Sequence, residues 1–262
     1  MAQTARGYLM QVSSEDTTVT ESFLSSMPES YRSVYSSVEI EEHAGICARR
    51  GRHPAHVELW RSLPTGGAIL CVVADDHPGL LSIVSAALHL HELDVTTAQI
   101  YCRSRPDNVA EAVDFFWVRA IDARSGQQIE ADEIASVGRL LGDLVVRQAC
   151  PDPILSPRQA SGHFDTMPLA RAFFETQSLR GGKYVLVVEA LDYPGLLLRV
   201  ARTLHGQGLD IVASDIRTEG ARVRDRFTVR DTLGARIMPE RLAAIRAAVV
   251  EAVRNGSTAG QS

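Results

Sequence analysis

Apolar residues along this chain switch between two spacings, and they do so in the same order twice. Residues 56–60, His-Val-Glu-Leu-Trp, alternate with a period of two, the mark of a half-buried strand. Residues 62–67 turn the chain into a continuous apolar run at 68–74. Leu80, Leu81, Val84, Ala87, Leu88 and His91 then recur at helical spacing. Residues 94–102 read as a strand, 103–108 as a loop, and 112–121 as a strand rich in Val, Phe and Trp. After Ser125-Gly126, a helix is striped by Ile134, Val137, Leu141, Leu144 and Val145.

The second passage repeats this order. A short strand at 172–176 is turned by Ser178-Leu179 and Gly181-Gly182 into an apolar run at 184–190. Leu196, Leu197, Val200, Ala201 and Leu204 stripe a helix, strands follow at 209–218 and 223–231, and Leu242, Ile245, Val249, Ala252 and Val253 stripe a last helix. The two passages align at the spacing from Pro78 to Pro194, 116 positions. At that offset Ser62-Leu63 meets Ser178-Leu179, Ala74 meets Ala190, Leu88-His89 meets Leu204-His205, Asp94 meets Asp210 and Ile100 meets Ile216. Beyond a loop near Pro106 the offset is 111, and Asp114, Phe116 and Val118 meet Asp225, Phe227 and Val229. The pattern is that of a duplicated unit.

Flanking segments set the boundaries. Residues 1–19 are polar and aperiodic and read as a flexible start. Residues 20–54 read as helical: Phe23, Leu24 and Met27 form a short stripe ended by Pro28, and a weaker segment surrounds Tyr31, Val34 and Tyr35. Ser37 reads as the N-cap of a further helix, with Glu39 and Glu41 in its first turn and Ile40, His43, Ala44 and Cys47 on one face. Arg49, Arg50 and Gly51 suit its end. The first unit is expected at 55–146 and the second at 171–254. A linker containing Pro151, Pro153 and Pro157 lies at 147–170, and a flexible tail at 255–262. Two helices per unit cover only one face of a small antiparallel sheet. The other face or an edge therefore needs a partner, which the second copy supplies within the chain or between two chains.

Each unit carries one short motif between its apolar run and its first helix: Asp76-His77-Pro78-Gly79-Leu80-Leu81 and Asp192-Tyr193-Pro194-Gly195-Leu196-Leu197. A helix start offers unpaired N–H groups and positive dipole, Pro suits the first helical position, and Gly lets a ligand approach the backbone. The plain alternative is a structural turn, with each Asp bonded to nearby backbone N–H groups.

Charge and composition narrow the classes. A net charge of −5 argues against a nucleic-acid binder, and the Arg217, Arg222, Arg224, Arg226 and Arg230 cluster reads as a solvated strand face. Cys47, Cys71, Cys102 and Cys150 show no paired spacing, and without a signal peptide or a membrane-length apolar run the chain reads as a reduced cytoplasmic protein. His43, Cys47, His53 and His56 fit no standard zinc spacing, so no metal and no cofactor is expected.

A strand, then Asp-x-Pro-Gly-Leu-Leu, a helix, and a strand opening Leu-Asp-Val or Leu-Asp-Ile resembles the ACT domain family. The resemblance implies an α+β fold of two ferredoxin-like βαββαβ units, with helices on one face of each sheet. It extends to the paired ACT region of bacterial protein-PII uridylyltransferases, because Phe23-Leu24, Met27-Pro28-Glu29, Tyr31, Val38-Glu39-Ile40 and His43 are similar to the stretch preceding that pair. It implies an amino-acid effector, glutamine first, bound at the two motifs and at Asp94 and Asp210. A carboxylate would accept bonds from the α-amino group while helix N–H groups take the α-carboxylate.

Two departures qualify the likeness. The second unit has no strand after its last helix, so residues 56–60 and 172–176 either fill the fourth strand's place or the latter serves the first unit. The enzymes' catalytic constellations are also missing: no Gly-Ser precedes the adjacent Asp75-Asp76, and no His-Asp pair occurs. The chain is therefore expected to be a non-enzymatic sensor linked to nitrogen or amino-acid metabolism. The alternatives are a ligand-independent interaction or oligomerisation module, or a regulatory piece acting with a signalling protein or a separate catalytic subunit.

Overall fold

The computed structural model describes residues 14–64, 66–121, 128–150, 170–175 and 181–258. Three helices lead: α1 (Ser14–Ser26), α2 (Glu29–Arg32) and α3 (Ser37–Arg50). The first unit follows as β1 (Ala55–Ser62), β2 (Ala68–Asp75), α4 (Leu80–Leu90), β3 (Leu93–Ile100), β4 (Cys102–Ser104), β5 (Ala110–Ala120) and α5 (Ala131–Arg147). The second runs β6 (Arg171–Phe174), β7 (Lys183–Leu191), α6 (Leu196–Gly206), β8 (Leu209–Glu219), β9 (Arg222–Asp231) and α7 (Pro239–Thr258).

All described strands belong to one antiparallel sheet, ordered β1-β2-β5-β3-β8-β9-β7-β6, with β4 beside β5. Each unit's leading strand pairs with the strand that follows it, β1 with β2 and β6 with β7. Of the two places left open for residues 172–176, the strand takes the one in its own unit. The units meet edge to edge, Thr97↔Arg217, Ala98↔Ile216, Gln99↔Asp215 and Ile100↔Ser214. Ala98 and Ile100 are the repeat mates of Ser214 and Ile216. The seam therefore has local two-fold symmetry about Gln99↔Asp215. Both seam strands carry a bulge at matched places, between Val95 and Thr97 and between Ile211 and Ala213. A bulge sharpens local twist and re-aims side chains.

One face of the sheet holds α5, α4, α6 and α7. The α4 and α6 helices pack together over the seam. Their stripes and the inward strand residues make one continuous core, from Val57 and Leu70 through Phe116 and Ile216 to Leu186 and Val249. The other face of the first unit is covered by the N-terminal helices. Phe23, Met27, Tyr31, Ile40, Ala44 and Ile46 join Ile69, Cys71, Val73, Val113 and Phe115 in a second core. Tyr31 is fully buried there and its hydroxyl lies 2.7 Å from His43 Nδ1. Burial pushes the His43 imidazole down to about 4.

Several boundaries differ from expectation, each for a local reason. The α1 helix begins at Ser14, ahead of the boundary expected at 19, on a Ser-Glu-Asp start of residue types favoured in a first helical turn. The cap of α3 is Ser36, not Ser37. Its hydroxyl accepts the Glu39 N–H and Glu39 reaches back to its backbone, a complete capping box. The strand read at 94–102 breaks at Tyr101, whose N–H donates to the buried Asp114 carboxylate, and residues 102–104 pair with β5 instead of looping. The tail read from 255 stays helical through Thr258. There Gly256 packs so close to Tyr193 that an added Cβ would fall 2.3 Å from its hydroxyl. The linker prolines and the Ser178-Leu179 turn lie outside the described residues.

Candidate functional site

The two Asp-x-Pro-Gly motifs form matching turns at the seam. Leu80 N–H bonds His77 C=O at 3.1 Å, and Leu196 N–H bonds Tyr193 C=O at 3.1 Å. Gly79 has φ 89° and ψ −1°, and Gly195 has φ 85° and ψ 7°. These are the angles of the third residue of a type II turn, where Pro is favoured just before and Gly is needed. Pro78 therefore precedes the helix; the expected first helical position belongs to Leu80. The aspartates are held alike: Asp76 N–H bonds Ala110 C=O at 2.9 Å and Asp192 N–H bonds Ala221 C=O at 3.0 Å.

The strand-opening aspartates meet these turns crosswise. Asp94 of the first unit approaches the second unit's turn, where its carboxylate accepts the Gly195 N–H. Arg119 joins the two, with Nη2 at 2.8 Å from Asp94 and 3.3 Å from Asp192. Burial raises both acids above the usual carboxylate range, and the Arg119 charge pulls each part of the way back.

Asp210 of the second unit borders the first unit's turn and is paired with Arg230, its repeat counterpart of Arg119, at 2.8 Å. A cavity opens here between Asp76, His77 and Gly79 on one side and Leu209, Asp210, Ile211 and Val212 on the other. Cys102 and Asp114 also line it. Burial raises Asp76, a hydrogen bond from the Cys102 thiol pulls it part of the way back, and the Asp210 charge adds to the rise. Asp114 is 1% exposed and held well above its ordinary value by burial and by Asp76. The free space is about 20 Å³, little more than a single water needs. An amino acid enters only if the turn and the 209–212 segment part. His205 lines the cavity and packs against the turn: a Cβ on Gly79 would fall 2.7 Å from its ring.

Of the residues singled out from sequence, Asp76, His77, Gly79, Leu80, Leu81 and Asp210 share the cavity. Asp192 and Asp94 share Arg119. Pro78 is exposed at its turn, and Pro194 is half-buried. Leu196 and Leu197 are buried in the main core, and Tyr193 is buried with its hydroxyl donated to Val253 C=O at 3.1 Å. Arg119, Arg230, His205, Cys102 and Asp114 were not singled out as site residues. The repeat carried a signal for most of them. Asp114 matches Asp225, His89 matches His205, and Arg119 matches Arg230 at the later offset.

Fold and seam thus define a duplicated α+β unit whose two copies share one sheet and exchange aspartates at their turns. The chain is 31% identical over 200 residues to a bifunctional uridylyltransferase/uridylyl-removing enzyme of Nitrobacter hamburgensis, covering 74% of this chain. It is 33% identical over 208 residues to the enzyme of that name in Gluconobacter oxydans, and 30% over 189 residues to that of Rhodospirillum rubrum. These alignments take in 75% and 70% of the chain. The chain spans about a fifth of the length of these relatives, 20% for the first two and 19% for the third. No family model matches it. Among the described residues no helix is long and apolar enough to cross a membrane.

Proposed function

We propose that this chain is an amino-acid-responsive regulatory module made of two ACT-type, ferredoxin-like units, related to the region of the uridylyltransferases that it matches. One observation carries the reading. Each unit's Asp-x-Pro-Gly turn faces the strand-opening aspartate of the other, so a ligand at either turn would touch both units. Carboxylates at the turn and on the opposing strand suit an ammonium group, and an arginine nearby suits a carboxylate. Glutamine is the first candidate, and the relatives suggest a link to nitrogen regulation. On this reading the chain performs no nucleotide chemistry itself.

A thermal-shift screen of the proteinogenic amino acids at millimolar concentration tests it. A ligand that binds only the folded state at one hundred times its Kd adds about 2.7 kcal/mol of stability, easily seen in a melting curve. Asp76→Ala should weaken that ligand by roughly 1–3 kcal/mol if its carboxylate holds the ammonium. If no amino acid moves the melting curve, the chain is better read as a ligand-independent interaction module. The exposed arginines of β9 favour that second reading.

A further inference from the structure

The repeat makes the two turns comparable residue by residue, and they are in different states. At the second turn, the groups that would receive an amino acid are already engaged. Asp192 and Asp94 share the Arg119 guanidinium, and the Gly195 N–H is given to Asp94. Tyr193 ties this turn to α7 through its bond to Val253 C=O, and Gly256 closes against the same ring.

The first turn shares the arginine–aspartate pair and differs around it. Arg230 grips Asp210 through Nε, at 2.9 Å, and Nη2, at 2.8 Å, as Arg119 grips Asp94, but where Arg119 also bonds Asp192, among the described residues Arg230 makes no bond to Asp76. Asp76 takes its side-chain bond from the Cys102 thiol, a weaker donor than a guanidinium. His77 stands where the second turn has Tyr193. One of its ring nitrogens lies 3.0 Å from the neighbouring Pro78 C=O, and its Nε2 is shielded from water with no hydrogen-bond partner. The cavity lies at this turn, with Asp114 at its wall.

We propose that the chain binds one amino acid, not two: it sits at the Asp76 turn against Asp210, while Arg119 latches the Asp192 turn shut. The inference rests on the sensor reading above. The ammonium group would lie among Asp76, Asp210 and Asp114, and the α-carboxylate would take the Arg230 guanidinium or the turn N–H groups. The Asp192 turn would then be a structural clasp across the seam, closed by the chain's own arginine.

Native mass spectrometry of the full chain counts the ligands directly. The probe is an equimolar, millimolar mixture of the proteinogenic L-amino acids, with the D-enantiomer mixture as the background. One L-specific adduct per chain is expected. Asp76→Asn should reduce its occupancy at least tenfold, and Arg119→Met should admit a second adduct. Hydrogen exchange on the unmodified protein, which needs no variant to fold, should find protection at residues 76–82 and 209–212 but not at 192–198. Two adducts on the unmodified chain, protection at 192–198 equal to that at 76–82, or an Arg119→Met chain that still takes one would overturn the latch and leave the sensor reading standing. No L-specific adduct on any form would overturn both.

Discussion

The outward faces of the two units come from matching residues and have opposite fates. In β5 the residues turned away from the four-helix layer are Glu111, Val113, Phe115 and Trp117. Their counterparts in β9 are Arg222, Arg224, Arg226 and Thr228. The first set lies under α1–α3, with Val113 and Phe115 at 0% exposure. The second is open, and Arg226 and Arg224 pair across the surface with Glu175 at 2.9 Å and Glu189 at 3.6 Å. In β7 the outward Val185 and Val187 remain buried. Val187 lies in register between Phe173 and Arg226, where an arginine stem can shield it while its head stays in water. One fold thus tolerates a covered or a bare sheet face, and alternate residues of a single strand decide which.

Substitutions at matched positions can break this comparison. The largest effect is expected for Phe115→Ala, which empties the centre of the ring cluster formed with Tyr35, His43 and Trp60. Urea unfolding should register a loss of about 3–5 kcal/mol. Next is Glu111→Ala. Arg50 is 2% exposed and depends on Glu111 and Asp75, so removing the buried partner should cost about 3 kcal/mol by the same measurement. The matched changes on the bare face, Arg226→Ala and Arg222→Ala, should stay within about 0.5 kcal/mol. A large loss there would mean that the open face is covered after all.

Acidity acts with opposite signs at two buried groups, one on the first unit's covered face and one in the second unit. His43, on the covered face near Glu39, Glu42 and Arg61, titrates at about 4 when folded. Between pH 4 and 6.5 the unfolded chain binds the proton and the fold does not, so this residue makes stability rise with pH. Asp225, buried in the second unit near Asp192 and Asp215, is raised to about 7, chiefly by burial. From about pH 4 to 7 the fold holds a proton that the unfolded chain has released, so Asp225 makes stability fall as pH rises. Denaturation midpoints measured across that range should rise less steeply with pH in His43→Gln and fall less steeply in Asp225→Asn, each variant removing its own residue's share. The second variant keeps the oxygen that accepts the Arg217 N–H. An unchanged slope in either variant would show that the assigned group does not carry it.

The order of elements was legible because it is written in short-range spacing, and the duplication because matched residues survive at fixed offsets. What spacing cannot convey is which edges join. Nothing in residues 94–100 or 210–218 states that β3 and β8 pair, so the crosswise meeting of Asp94 with Asp192 emerges only in three dimensions. The sequence treated the arginines of β9 as a solvated face, and they are exposed. It did not distinguish Arg119, which is equally exposed yet bridges two largely buried acids. The motif residues were found as a block, but position divides them: Asp76 and Gly79 border a cavity, whereas Leu196 and Leu197 serve the core. The cap of α3 moved by one residue because two adjacent serines offer the same chemistry and only geometry chooses between them.

Joining two unlike copies in one polypeptide has a consequence for the β3–β8 seam. Identical subunits meeting about a two-fold axis must present the same groups on both sides, so any change made at one turn is made at the other. Here the axis at Gln99↔Asp215 relates residues that are free to diverge. A histidine can stand opposite a tyrosine, and a helical cap opposite an arginine surface. The pairing is also intramolecular, so dilution cannot pull the halves apart as it would separate two chains.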